Sequence, residues 1–296
     1  MIKQLLGVAR INFLSLTVVC IALAAAASWQ AGFSFSPQRF VLVMCLGLCA
    51  HVSVNAFNEY FDYKSGLDLL TERTPFSGGS GTLPAYPDAS QMTLVLAVLS
   101  LLVLIAGGLY LATELGWRLL LIGLPGVLLI YGYTQYLNRS PWLCLLAPGV
   151  GFGLLMTLGA YWVLADSLSL AAVVLSLIVM LLVSNLLLLN QFPDVEADRQ
   201  VGRRHLPIVI GRQASAVVVT LLLTGSYLVL LVAVVFEVLP WQCLLALLTL
   251  PILIKLLPGI FTFAEQPRKL TQFMAMNVLL CHGYPILLLT GLIWAS

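Results

Sequence analysis

The sequence predicts an all-α, polytopic membrane protein with nine transmembrane helices around a central cavity. Three observations carry this. Only 9% of the 296 residues are charged and 61% are hydrophobic, whereas soluble domains carry about 25% charged residues. The apolar residues come in long continuous runs, each near the roughly 20 that cross a bilayer as a helix. A membrane β-barrel would alternate apolar and polar positions, so it is excluded. Lastly, the basic residues fall almost entirely on one side of the spans, as the positive-inside rule requires.

In chain order, the first span covers about 11–33, after the short start Met1–Arg10. Its apolar run is too long for the h-region of a cleavable signal peptide, so none is expected. The second span, about 39–60, closes on Asn58-Glu59-Tyr60-Phe61-Asp62 and leads into a polar loop, about 61–90. Spans three to five cover about 91–113, 117–137 and 143–165. The sixth, about 168–190, closes on Asn190-Gln191-Phe192-Pro193-Asp194 and leads into a second polar loop, about 191–213. Spans seven to nine cover about 214–236, 240–258 and 272–294. With a cytoplasmic N-terminus, Arg39 and Arg118 alone of the 14 basic residues lie on the far side. The expectation is one transmembrane domain, 1–296, multi-pass in the inner (cytoplasmic) membrane, with its working face and both long loops cytoplasmic. The six cysteines lie in or beside spans without metal-ligand spacing, as buried free thiols do.

The two acidic stretches match each other. Each sets an Asn four residues before an Asp at the end of an apolar span, with Asp68 following the first and Asp198 the second. On a helix, i and i+4 share a face, so Asn58 pairs with Asp62, and Asn190 with Asp194 and Asp198. Carboxylates clustered beside a membrane span mark function more often than chance. Asp62, Asp68, Asp194 and Asp198, with Glu59, Asn58 and Asn190, are the candidate ligands of a hard divalent cation, Mg²⁺ above all, which is commonly shared with phosphate. Helix capping is the bland alternative and suits Asp68 or Asp88 well.

Cations surround these motifs: Lys64, Arg73, Arg139, Arg199, Arg203 and Arg204. Most serve as membrane-side anchors, while Arg203 or Arg204 is close enough to Asp198 to share a phosphate with it. The stretch Thr74–Gly81 is rich in Gly and Ser and reads as a flexible linker or lid rather than a phosphate nest. His51 and His282 read as hydrogen-bonding groups between helices. Tyr60, Tyr131, Tyr133 and Tyr136 fit an interfacial aromatic belt, though aromatic faces also stabilise cations.

These residues resemble the UbiA superfamily of intramembrane prenyltransferases. Asn58-Glu59-Tyr60-Phe61-Asp62 looks like its Asn-Asp-x-x-Asp motif, and Asp194-Val195-Glu196-Ala197-Asp198 like its Asp-x-x-x-Asp motif. Arg199-Gln200-Val201-Gly202-Arg203-Arg204-His205-Leu206-Pro207 is similar to the stretch that follows the latter. Phe61-Asp62-Tyr63-Lys64-Ser65-Gly66-Leu67-Asp68 most resembles the dihydroxynaphthoate, menaquinone-pathway branch. The chain departs from the family in Glu59, where Asp is usual, and in His205, where Thr is usual. It also lacks the Tyr-Pro-x-x-Lys-Arg stretch of the hydroxybenzoate branch; Tyr133–Arg139 is the nearest segment.

The resemblance implies Mg²⁺-dependent transfer of an isoprenyl group from a prenyl diphosphate to an aromatic acceptor within the membrane, in quinone biosynthesis. Asp62, Asp194 and Asp198 would be catalytic. Lys64, Arg73, Arg139, Arg203 and Arg204 would be the diphosphate contacts. The partners would be the two substrates and membrane lipid, with no nucleic acid. Another acceptor (4-hydroxybenzoate, homogentisate, a porphyrin, glycerol phosphate) keeps the same chemistry. A cation-coupled transporter is the reading from a different class.

Overall fold

The computed structural model describes residues 2–296. Among them there is no β-strand, and nine helices are long and apolar enough to cross a membrane. These are α1 (Ile11–Gln30), α2 (Pro37–Lys64), α3 (Pro87–Leu115), α4 (Trp117–Gln135), α5 (Pro141–Ala165), α6 (Leu170–Asn190), α7 (Gly211–Val235), α8 (Trp241–Phe263) and α9 (Pro267–Trp294). The expected spans and these helices agree in number and order. The ends differ where a helix continues past the apolar run. Thus α2 runs to Lys64, which keeps Asp62 on its face.

Local signals set several helix starts. Pro37, Pro141 and Pro267 each stand in the first turn, where a missing N–H costs nothing. The Ser36 and Ser169 hydroxyls cap α2 and α6 by accepting from the Arg39 and Ala172 amides at 3.3 and 3.1 Å. Gly66, at φ 79°, turns the chain after α2 into a short helix, Leu67–Leu70.

One expectation is corrected here. Asn190, Asp194 and Asp198 do not lie on one continuous helix: α6 stops at Asn190, residues 191–194 form a turn, and a short helix, Val195–Gln200, follows. Pro193 is the physical reason. It has no N–H for the helical ladder and pushes its predecessor out of the helical region.

Helix α6 is the most enclosed span, with 67% of its apolar window buried against 11% for α3. Close approach of α5 makes this so. A Cβ on Gly149 or Gly153 would collide with the α6 backbone at Met180 or Ser176. In the same stretch Pro148 interrupts α5 and Val150–Thr157 winds as a π-helix, a widening frequent at functional sites. A continuous buried apolar cluster runs from Leu16 to Leu292. Outward-facing side chains such as Leu121, Leu128, Leu221 and Ile254 are also apolar, as contact with lipid demands.

Candidate active site

A cavity of about 540 Å³ lies between α1–α6 and α9. One end is polar, lined by Arg10, Asn58, Asp62, Asp68, Asn190, Asp194, Asp198 and Arg203. The remainder is mostly apolar, with Val43, Leu119, Ile122 and Val163 at positions near the opposite helix ends, although His51, Asn55 and His282 also line it. Both acidic motifs therefore open into one space.

On α2, Asn58 donates from Nδ2 to Asp62 Oδ2 at 2.9 Å, the i, i+4 contact read from the spacing. Arg203 joins the two motifs. Its guanidinium contacts Asp62 Oδ1 and donates to Asp198 Oδ1 at 3.0 Å. His205 Nε2 lies 2.7 Å from Asp198 Oδ2, so both Asp198 oxygens are engaged. Burial pulls the Arg203 pKa down, but the Asp62 and Asp198 charges outweigh it, and the group stays ionised.

The choice between the neighbouring arginines follows from backbone geometry. Residues 203–205 are non-helical, and His205 is extended at φ −79°, ψ 169°. Successive side chains on extended backbone alternate. Arg203 and His205 thus both reach Asp198, while Arg204 is exposed. Lys64, Arg73, Arg139 and Arg204 do not line the cavity. The Lys64 ammonium rests 5.6 Å from the centre of the Tyr60 ring, and Arg73 reaches back to the Ser80 carbonyl at 3.4 Å.

Two parts of the site were not legible in the sequence. Arg10, which reads there as one more membrane-side cation, is folded in. Its Nε donates to Glu59 Oε1 at 2.7 Å and its guanidinium to Asn58 Oδ1 at 2.9 Å. No local signal separates it from other flanking arginines. The second is the Gly-Ser stretch, which is a strap over the carboxylates rather than a free linker. The Gly78 amide donates to Asp194 Oδ2 at 3.2 Å, and the Ser80 amide and hydroxyl donate to Glu59 Oε1 and Oε2 at 2.7 and 2.6 Å. Glu59 is fully buried, has both oxygens engaged, and does not line the cavity. Positive φ at Gly78, Gly79 and Gly81 lets the strap make this turn. A Cβ on Gly79 would stand 2.9 Å from Asp68 Oδ1. Gly79→Ala is expected to cost about 1–2 kcal/mol in backbone strain and to lower turnover more than it lowers thermal stability. Unchanged turnover would show that the strap need not lie on the carboxylates.

The buried oxygens bear on metal binding. Asp68 Oδ2, Asn190 Oδ1 and Asp194 Oδ1 have no hydrogen-bond partner among the described residues. Hard, unpartnered oxygens suit Mg²⁺. No three His, Cys, Asp or Glu side chains among the described residues already converge on one point; the Arg203 guanidinium stands between Asp62 and Asp198. Burial, reinforced by the Glu59 and Asp62 charges, pushes Asp68 up to about 7. Burial and the Asp198 charge push Asp194 up to about 7 against the Gly78 N–H. Both pKa values are raised above the unfolded value of about 3.9. Their stabilising contribution is therefore complete below about pH 4 and lost as pH rises through about 7. In EDTA, the melting temperature should fall between pH 5 and pH 8, and Asp68→Asn should flatten the profile. A rise over that range would contradict these environments.

The fold and site together define a class: a polytopic helical membrane protein whose paired acidic motifs close the polar end of an apolar cavity. The chain belongs to the UbiA prenyltransferase family, whose sequence model matches residues 17–279. It is 27% identical over 191 residues to the 1,4-dihydroxy-2-naphthoate octaprenyltransferase of Bacillus subtilis (strain 168), a match spanning 64% of this chain and 59% of that one. It is 24% identical over 296 residues to the 2-carboxy-1,4-naphthoquinone phytyltransferase of Synechocystis sp. PCC 6803, spanning 95% and 90% of the two chains. The fold also superposes on a UbiA homolog from Archaeoglobus fulgidus bound to GPP and Mg²⁺, with a TM-score of 0.59 at 14% identity over 96% and 99% of the chains.

Proposed function

We propose that the protein transfers an isoprenyl group from a prenyl diphosphate to a dihydroxynaphthoate-type aromatic acceptor, in the making of a quinone lipid at the cytoplasmic side of the inner membrane. The observation that carries this is the joining of an acidic, arginine-bearing end to an apolar bore within one cavity. That shape suits a molecule with a polyanionic head and a hydrocarbon tail. The names of the naphthoate-linked relatives support the acceptor class, and the ligands of the Archaeoglobus homolog support the donor and the metal. The skew of basic residues supports the orientation.

Asp62, Asp68, Asn190 and Asp194, with Asp198 and Asn58, would hold Mg²⁺. Bound there, the metal would supply charge neutralisation to the departing diphosphate. Arg203 offers a second positive charge to the same group. The allylic C1–O bond breaks with its electron pair leaving on diphosphate. The acceptor ring carbon then gives a pair to C1 and releases its proton. Apolar walls exclude water from the electron-poor carbon, and the Tyr133 and Phe152 rings, which line the cavity, can face it.

The test is diphosphate release by purified protein in lipid, with Mg²⁺, polyprenyl diphosphates and a panel of aromatic acids. Release that depends on 1,4-dihydroxy-2-naphthoate and stops in EDTA is expected. Release dependent on a different acceptor would change the assigned substrate, and no acceptor-dependent release would remove the reading.

A further inference from the structure

His205 lines the cavity beside Asp198, is 1% exposed, and takes no part in the mechanism above. Its Nε2 lies 2.7 Å from Asp198 Oδ2, and its Nδ1 has no hydrogen-bond partner among the described residues. The polar tie of this ring is therefore to Asp198 alone. The carboxylate settles the direction of that bond. Asp198 is paired through Oδ1 with the Arg203 guanidinium at 3.0 Å, and a carboxylate in such a pair only accepts. Nε2 thus carries a proton and donates it to Oδ2, whether the ring is neutral or charged.

The backbone holds the ring in place from both sides. The His205 carbonyl accepts from the Ile208 and Val209 amides at 3.1 and 3.3 Å, at the start of the short helix Leu206–Val209. The preceding Arg204 amide donates to the carbonyl of Asn138, just past α4, at 3.0 Å. A donor on a fixed mount sets the orientation of the carboxylate it meets.

The two Asp198 oxygens are held by different kinds of group. Arg203 divides its guanidinium between Asp198 and Asp62, and in the reading above it offers its charge to diphosphate. His205 has no second partner to turn to. Oδ1 is therefore the oxygen open to exchange, and Oδ2 is the one kept. Ca²⁺ gathers about six to eight oxygens in flexible geometry and often takes both oxygens of one carboxylate. Mg²⁺ demands near-octahedral geometry and keeps several waters, so a single oxygen per carboxylate serves it.

We infer that His205 is a positioning residue that reserves one oxygen of Asp198, and that it thereby sets the preference of the cation site for Mg²⁺ over Ca²⁺. This rests on the metal-dependent prenyl-transfer reading above and names the group that selects its cation.

The test measures binding of Mg²⁺ alone and of Ca²⁺ alone to the full chain in lipid, without substrate, from the rise of melting temperature with ion concentration. Asp194→Ala gives the background from ions held elsewhere. In His205→Leu the Kd for Mg²⁺ should rise about tenfold, the lower end of what loss of such an outer partner costs. The Kd for Ca²⁺ should stay level or fall, because Oδ2 is released. His205→Gln, whose amide N–H can donate to Oδ2, should restore most of the preference for Mg²⁺. His205→Asn is polar but too short to reach Oδ2. It should behave as the leucine variant does, which separates lost positioning from a folding defect. The Mg²⁺ concentration that gives half-maximal diphosphate release should follow the Mg²⁺ Kd through the series. Equal shifts for both ions, no shift for either, or a glutamine variant no better than the asparagine one would overturn the inference and leave prenyl transfer standing. Binding of neither ion by the unaltered chain would remove the cation site, and this inference with it.

Discussion

Replacing Asp62 or Asp194 by alanine should reduce acceptor-dependent diphosphate release by at least about 10²-fold, the scale seen when one electrostatic partner of a developing charge is removed. The two residues come from different spans and different environments. Asp62 is held from both sides, by Asn58 and Arg203. Asp194 is held by the Gly78 amide through one oxygen, and its other oxygen is unpartnered. Equal loss at both positions would mean that the two motifs work on one bound group. Asp62→Asn and Asp194→Asn keep the volume and most hydrogen bonding, so they separate lost chemistry from lost folding. Near-normal turnover in all four variants would sink the shared cation site.

Arg203→Ala should show the other large effect, on stability as well as on activity. It leaves Asp62 and Asp198 buried without their shared cation, and an uncompensated buried charge typically costs about 3–5 kcal/mol. The melting temperature in EDTA should fall, and excess Mg²⁺ should recover much of it by binding the freed carboxylates. The KM for prenyl diphosphate should rise in the same variant. Arg204→Ala, one residue away but exposed, should alter neither. A fall in melting temperature that Mg²⁺ leaves untouched would mean that Arg203 is purely structural.

The nine spans, their order and the two acidic motifs were legible because each depends on a local property. Transfer of an apolar stretch into lipid is summed along that stretch, so contiguous hydrophobicity is enough to find a span. The Asn58–Asp62 contact was also legible, since i and i+4 on a helix meet whatever surrounds them. The same rule failed at Asn190–Asp194 because Pro193 lies between them and ends the helix.

By itself, then, the sequence determined the membrane class, the number and order of spans, and the two places where carboxylates gather. Tertiary structure alone decided the rest of the site. Arg10 meets Glu59 across 49 residues, Gly78 meets Asp194 across 116, and Arg203 meets Asp62 across 141. Which of several flanking cations turns inward, and whether a Gly-Ser stretch hangs free or straps down on carboxylates, depends on what packing brings opposite. A buried charge must find a partner, and that partner is set by the folded chain rather than by its sequence neighbours.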